Sequence, residues 1–306
     1  MEIHLANIQG FCAGVSRAIQ IVKSLLEKYG NPLYVRHHIV HNTAVIEGFE
    51  KQGVIFVDDL NDVPEGQRIV FSAHGVSQSV YDEAKSRGLI PIDATCPLVT
   101  KVHKEAKRFS EQNIQTVLIG HRKHQEIIGT AGYVKQGLLF YIEKSEDVKG
   151  LVLDTTKQCG YLTQTTLSVT EAEKIITKLK EKYPKMIDPA KEDICFATQN
   201  RQDAVIELAK FCDVIIVCGS PTSSNSNRLK ETAALNNVNS YIIDNVNELN
   251  LEWLVEKHKI GISSGASVPA IIVDNVVRKI SEVYPNTKIF QEESMEKDII
   301  FDIPKI

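Results

Sequence analysis

Three times along its 306 residues this chain sets a cysteine directly ahead of a helical pattern: "CAGVSRAIQIV" from Cys12, "CPLVTKVHKEA" from Cys96 and "CFATQNRQDAV" from Cys195. In the first, Val15, Ala18, Ile19, Val22 and Leu26 keep the period of an amphipathic helix, and Val99, Val102, Ala106 and Phe109 repeat it in the second. An apolar run follows each helix and ends in polar or imidazole groups, at His41, His124 and Ser223, which lie 29, 28 and 28 residues beyond their cysteines. Each third then carries a second polar strand end: His74 in "SAHGVS", Thr165 and Thr166 in "LTQTTLS", Ser267 in "SSGASVP". The unit reads cysteine, helix, strand, polar loop, helix, strand, strand, polar loop, helix, written three times. Such a chain is expected to fold as three lobes, 14–96, 97–194 and 195–282, with terminal segments 1–13 and 283–306.

The apolar runs indicate the fold class. "YVRHHIV", "VIFV", "RIVFSA", "LIPIDA", "TVLIG", "LLFYI", "YLTQ", "DVIIVC", "SYIID" and "KIGIS" have the length and β-branched content of buried strands. Helical patterns lie among them at 13–29, 77–87, 98–111, 168–182, 201–211, 226–236 and 269–282. This alternation predicts an α/β protein with mainly parallel sheets. Ligands in such sheets bind beyond the carboxyl ends of strands, so the polar loops are where chemistry is expected.

Three such units place three thiols at helix starts, where the dipole and free N–H groups favour a thiolate. A closed zinc site takes four ligands, commonly from C-x-x-C pairs, and none of the six cysteines forms one. Three widely spaced thiolates suit an iron–sulfur cube better, with one iron left open as a Lewis acid. Cys159, Cys212 and Cys218 read as core residues, and His4, His37, His38, His103, His121 and His258 as structural imidazoles. "SPTSSNSNRL" reads as a loop and helix cap, and its place in the repeat makes it a candidate phosphate cradle. Glu126 in "GHRKHQEIIGT" reads on spacing alone as a solvated helix charge. Its position two residues from His124 admits a second role, proton delivery, if burial raises its pKa. The charged stretches near 171–185 and 290–298 are expected on solvated surface.

A formal charge of -4 and a pI near 6.2 leave no basic footprint for nucleic acid or an anionic membrane. No apolar stretch approaches the roughly 20 residues of a membrane helix, and "MEIHLANIQG" lacks the pattern of a secretory signal. A cytoplasmic protein with reduced thiols and a small-molecule or protein partner is expected.

"GFCAGVSRAI", "HHIVHN", "FSAHGVS", "DATCPLVTKVH", "GHRKHQE", "TQTTLS", "DICFATQNRQ", "PTSSNSNRL" and "SGASVP" resemble, in this order, the 4-hydroxy-3-methylbut-2-enyl diphosphate reductases, the LytB/IspH family. The resemblance runs from Met1 to about Pro285, and no appended C-terminal domain is expected. It implies a trefoil of three α/β lobes around one 4Fe-4S cluster, held by Cys12, Cys96 and Cys195 with the fourth iron open. It places the substrate's diphosphate on His41, His74, His124, Ser223, Ser224, Asn225 and Ser267, makes Glu126 the proton donor, and sets Thr165 near the substrate hydroxyl. The implied reaction, the last of the non-mevalonate isoprenoid pathway, uses two electrons and two protons to remove that hydroxyl as water. Its products are isopentenyl and dimethylallyl diphosphate, and its electron donor is a ferredoxin or flavodoxin. Two other classes share part of the pattern. A cluster-bearing lyase such as a dehydratase, or quinolinate synthase with its threefold plan, needs no reductant; an electron carrier or zinc protein has no use for the polar strand-end loops.

Overall fold

The computed structural model describes residues 1–291 and 299–304. The chain opens with β1 (Glu2–Leu5), and the helix behind Cys12 is α1 (Ala13–Tyr29). The first third continues through β2 (Leu33–Arg36), α2 (Thr43–Glu50), β3 (Val54–Val57), β4 (Arg68–Phe71), α3 (Gln78–Ser86) and β5 (Ile90–Asp93). The second holds α4 (Pro97–Glu111), β6 (Gln115–Ile119), α5 (Gln125–Ala131), β7 (Leu139–Ile142), β8 (Cys159–Thr163) and α6 (Val169–Lys182). The third holds α7 (Phe196–Ala209), β9 (Val214–Cys218), α8 (Ser224–Leu235), β10 (Asn239–Ile243), β11 (Lys259–Ser264), α9 (Ala270–Val283) and β12 (Lys288–Gln291).

Three sheets result, ordered β3-β2-β4-β5, β7-β6-β8 and β10-β9-β11-β1-β12. Every strand pair in them is parallel. In each third, the strand following the cysteine-led helix lies between the next two strands, so one α/β module is written three times. The first adds β5 at its edge, and the third takes in β1 and β12 from the terminal segments. The protein is thus α/β with three parallel sheets, as the alternation predicts.

Residue contacts divide the chain into two compact units. One holds the described residues of Met1–Ser16, His41–Glu47 and Phe196–Ile300, with the third sheet. The other holds those of Arg17–Val40, Gly48–Cys195 and Phe301–Ile306, with the first two sheets.

Both faces of the third sheet are apolar because both are covered. Ile260, Ile262, Val214 and Ile216 pack against Val273, Val276 and Ile280 of α9. On the opposite face Ile215 and Val217 meet Val205 and Leu208 of α7 and Leu229 and Ala233 of α8. In the second sheet α4 buries Val99, Val102, Ala106 and Phe109. Phe109 sits so close to β8 that a Cβ on Gly160 would fall 2.6 Å from its ring, so the glycine is what lets this helix approach.

Four features depart from the sequence expectation. Helix α7 starts at Phe196, ahead of the expected 201, because its first turn runs straight on from Cys195 through the polar "ATQN". Helices α2 and α5 lie where the repeat puts a helix but are absent from the periodic segments, because they span only 8 and 7 residues. Strands β1 and β12 come from segments read as plain termini. Helix α6 is largely exposed but buries Ala172, Ile175 and Leu179, while residues 292–298 of the expected charged surface lie outside the described residues. No helix among the described residues is long and apolar enough to cross a membrane.

Candidate active site

Each of the three cysteines is tied by its backbone to a polar strand-end loop. Cys12 donates its N–H to the carbonyl of Ala266 (3.0 Å), Cys96 to that of Ala73 (3.0 Å) and Cys195 to that of Thr165 (3.1 Å). The acceptors stand immediately before Ser267, His74 and Thr166, so the second polar loop of every third anchors one cysteine. The carbonyls of Cys12 and Cys96 then start their helices by accepting from Ser16 and Thr100.

These three thiols are half-buried, whereas Cys159, Cys212 and Cys218 are buried. Burial pushes the thiols of Cys212 and Cys218 up to about 12 and raises that of Cys159, which leaves them as inert core groups. Among the described residues no three His, Cys, Asp or Glu side chains form a group that could hold a metal ion. The donor chemistry of Cys12, Cys96 and Cys195, three helix-start thiols pinned through their own N–H groups, fits ligation of an iron–sulfur cluster, whose irons spread their sulfur ligands apart.

The first polar loop of each third caps a short helix. His124 caps α5, its Nδ1 accepting from the Glu126 N–H (3.2 Å), and Ser223 caps α8, its Oγ accepting from Ser226 (3.3 Å). The corresponding cap of α2 is Asn42, whose Oδ1 accepts from Val45 (3.1 Å). Asn42, which the sequence reading passed over, is therefore the structural counterpart of His124 and Ser223; His41 sits one residue earlier. His41 is placed differently, with its carbonyl accepting from Ser267 Oγ (2.9 Å). Because Nδ1 of His124 accepts, its ring carries the proton on Nε2 and presents a donor there. His74 pairs its Nδ1 with Ser72 Oγ at 3.2 Å, and its ring centroid lies 5.8 Å from that of His124. Ser224 follows its cap as the first residue of α8, half-buried, while Ser223, Asn225 and Ser267 are buried.

Glu126 is not a solvated helix charge. It is 2% exposed, with Oε1 accepting from the Thr165 N–H (2.6 Å) and Oε2 lying 2.9 Å from Thr165 Oγ1. Burial raises its pKa to about 7 against the pull of both Thr165 contacts, and the nearby Asp193 adds to the rise. Asn225 occupies the same second position in its helix, and its Oδ1 accepts from the Ala266 N–H (3.0 Å). In the first third that position is Ala44, and the Ala73 N–H turns to the Ile39 carbonyl (3.4 Å). One carboxyl, one amide and one methyl thus fill three equivalent places, and only the carboxyl can release a proton.

Two further residues support these loops. Asp193 is buried, accepts from the Thr163 N–H (3.0 Å) and lies 3.3 Å from Lys101 Nζ; burial lifts its pKa to about 6. His103 stacks on Tyr133 and lies under Gly75, where an added Cβ would fall 2.5 Å from its ring. Burial lowers its pKa to about 4, so it remains the neutral structural imidazole that the sequence suggests.

The profile of the LytB protein family matches residues 3–281. The chain belongs to the LytB family. The family's "4-hydroxy-3-methylbut-2-enyl diphosphate reductase" of Nitrosomonas europaea is 47% identical over 312 residues, covering 100% of this chain and 97% of that protein. The protein of the same name from Aliivibrio salmonicida is 48% identical over 307 residues, covering 100% and 98%. Among solved LytB structures, the E-1-hydroxy-2-methyl-but-2-enyl-4-diphosphate reductase of Plasmodium falciparum matches with a TM-score of 0.96 at 37% identity, covering 99% of this chain and 95% of that one. A second, described as the terminal enzyme of the non-mevalonate pathway, matches with a TM-score of 0.64 at 30% identity, covering 92% and 100%.

Proposed function

We infer that this chain reductively removes the hydroxyl of (E)-4-hydroxy-3-methylbut-2-enyl diphosphate, the last step of the non-mevalonate isoprenoid pathway. Relatives of that name match over its whole length, and the observation that carries the chemistry is the buried Glu126–Thr165 pair. In the reaction two electrons and two protons enter, the allylic C–O bond breaks and the oxygen leaves as water. A proton added at either end of the allyl group gives isopentenyl or dimethylallyl diphosphate.

Hydroxide is a poor leaving group, so a proton must reach the oxygen as the bond breaks. Below pH about 7 Glu126 holds that proton, and its Oε2–H donates to Thr165 Oγ1, which passes its own proton to the hydroxyl. Thr165 is also the residue whose carbonyl fixes Cys195, so one loop contacts both the proton donor and a thiol ligand. His41, His74, His124, Ser223, Ser224, Asn225 and Ser267 bind the diphosphate through imidazole, hydroxyl and amide groups, at the positive end of the α8 dipole. Cys12, Cys96 and Cys195 would hold a 4Fe-4S cluster with its fourth iron open, which would supply the electrons and a Lewis acid.

The lobes 14–96, 97–194 and 195–282 are the working divisions of the fold, a reading supported by one cysteine-led sheet in each. A ferredoxin or flavodoxin delivers the electrons, and six cysteines without a disulfide among them suit a cytoplasmic, reducing setting. Product analysis after anaerobic incubation with substrate tests the assignment. Both isopentenyl and dimethylallyl diphosphate are expected with a reduced viologen present and neither without it. Substrate consumption that needs no reductant would make the protein a lyase instead.

A further inference from the structure

Three basic residues unused by this chemistry recur in the same turn of the repeat. Arg17 lies five residues after Cys12, Lys101 five after Cys96 and Arg201 six after Cys195, each in the second turn of a cysteine-led helix. Each donates to the backbone just ahead of a different cysteine. Arg17 Nη1 donates to the carbonyl of Thr95, the residue before Cys96 (2.9 Å). Lys101 Nζ donates to the carbonyls of Lys191 (3.2 Å) and Glu192 and pairs with Asp193 (3.3 Å), on the approach to Cys195. Arg201 Nη2 donates to the carbonyl of Gly10, two residues before Cys12 (3.0 Å), while its Nη1 holds Ala197 (2.9 Å).

The links run in cyclic order: the first cysteine's helix holds the second cysteine's approach, the second holds the third's, and the third holds the first's. They join residues 78, 90 and 191 positions apart, so local helix chemistry does not account for them. Arg201 is 1% exposed, and a buried guanidinium is retained only where negative charge or strong acceptors compensate its desolvation. A cluster with three thiolate ligands carries net negative charge that grows on reduction. The backbone of such a second-turn residue stands about 8 Å along the helix axis from its cysteine, comparable with a Debye length.

We propose that Arg17, Lys101 and Arg201 form a ring of positioning residues for the cluster: each fixes the backbone that carries the next ligand, and their charges favour the reduced cluster. This rests on Cys12, Cys96 and Cys195 being its ligands. The test uses full-length protein reconstituted anaerobically, without substrate, as wild type and as Arg17→Gln, Lys101→Gln, Arg201→Gln and Lys101→Arg. Iron and sulfide content, the rate of iron loss to a chelator, and the cluster's midpoint potential by spectroscopic titration are measured. Each Gln variant is expected to lose iron about tenfold faster, the scale of one charge-assisted hydrogen bond, and to show a lower midpoint potential. Lys101→Arg should stay near wild type on both counts.

Wild-type protein that takes up no cluster would remove the ligand assignment and the ring with it. Fully loaded Arg17→Gln and Lys101→Gln proteins with wild-type iron loss and an unmoved midpoint would overturn the ring while leaving the ligands intact. Those two sites are half-buried and decide the matter even if Arg201→Gln does not fold.

Discussion

A carboxyl sealed from water at 2% exposure keeps its proton where an exposed one has lost it, and Glu126 is in that position. Its pKa rises from an unfolded value of about 4.3 to about 7, so the native state binds the extra proton between those limits. Two consequences follow at opposite ends of one titration. Turnover should fall as pH rises through 7, because the donor has lost its proton. Folding stability should also fall as pH rises from about 4.3 to 7, because the charged form is buried at a cost. Glu126→Gln should flatten that stability slope in urea titrations at pH 5 and pH 8, and should cut kcat by about 10²–10⁴ while leaving KM near wild type. Undiminished kcat in that variant would exclude Glu126 as the donor. The cysteines separate as sharply: Cys195→Ser should lose bound iron, and Cys212→Ala should retain it at some cost in stability. Equal iron content in the two would contradict the ligand assignment.

At the scale of elements, the short helices α2, α5 and α8 act through their starts more than their lengths. Each is capped by a side chain of the polar loop before it, and in α5 and α8 the second residue reaches back to the loop that fixes a cysteine. Gly75 shows how tightly these loops pack. Its φ of +77° and the His103 ring beneath it leave no room for a side chain, so Gly75→Ala should destabilise the fold by about 1–3 kcal/mol. Denaturant unfolding measures this, and an unchanged midpoint would refute the packing argument. Much of this element plan is legible in the chain, because cysteine, helix and apolar run recur at near-constant spacing. Buried strands such as β6 and β9 announce themselves by β-branched content. The repeat implies α2 and α5, but both are too short to show a period that would bound them, and β12, exposed throughout and paired with β1, gives no strand signal. The sequence also obscures that Asn42, not His41, is the cap equivalent to His124, because the first third is two residues longer between cysteine and helix. Burial of Glu126 depends on packing against the distant Thr165 loop, which no local pattern around "HQE" encodes.

For the whole molecule, each of the three modules holds one cysteine N–H on a polar strand-end loop, and the modules diverge in what holds that loop in turn. The six thiols divide into three half-buried and three buried ones. Anaerobic removal of iron should expose three thiols that react quickly with a thiol reagent and leave three that react only on unfolding. All six reacting at one rate would contradict that sorting. Because bound cluster stabilises the native state alone, the same treatment should lower the melting temperature. The central claim, reductive loss of a hydroxyl at a cysteine-held cluster, is tested most directly by electron counting. Protein of verified iron and sulfide content is mixed anaerobically with one-electron-reduced viologen and a limiting amount of (E)-4-hydroxy-3-methylbut-2-enyl diphosphate. The account predicts oxidation of two dye molecules for each substrate consumed, and none when the substrate is withheld. Substrate consumed with the dye left reduced would contradict it.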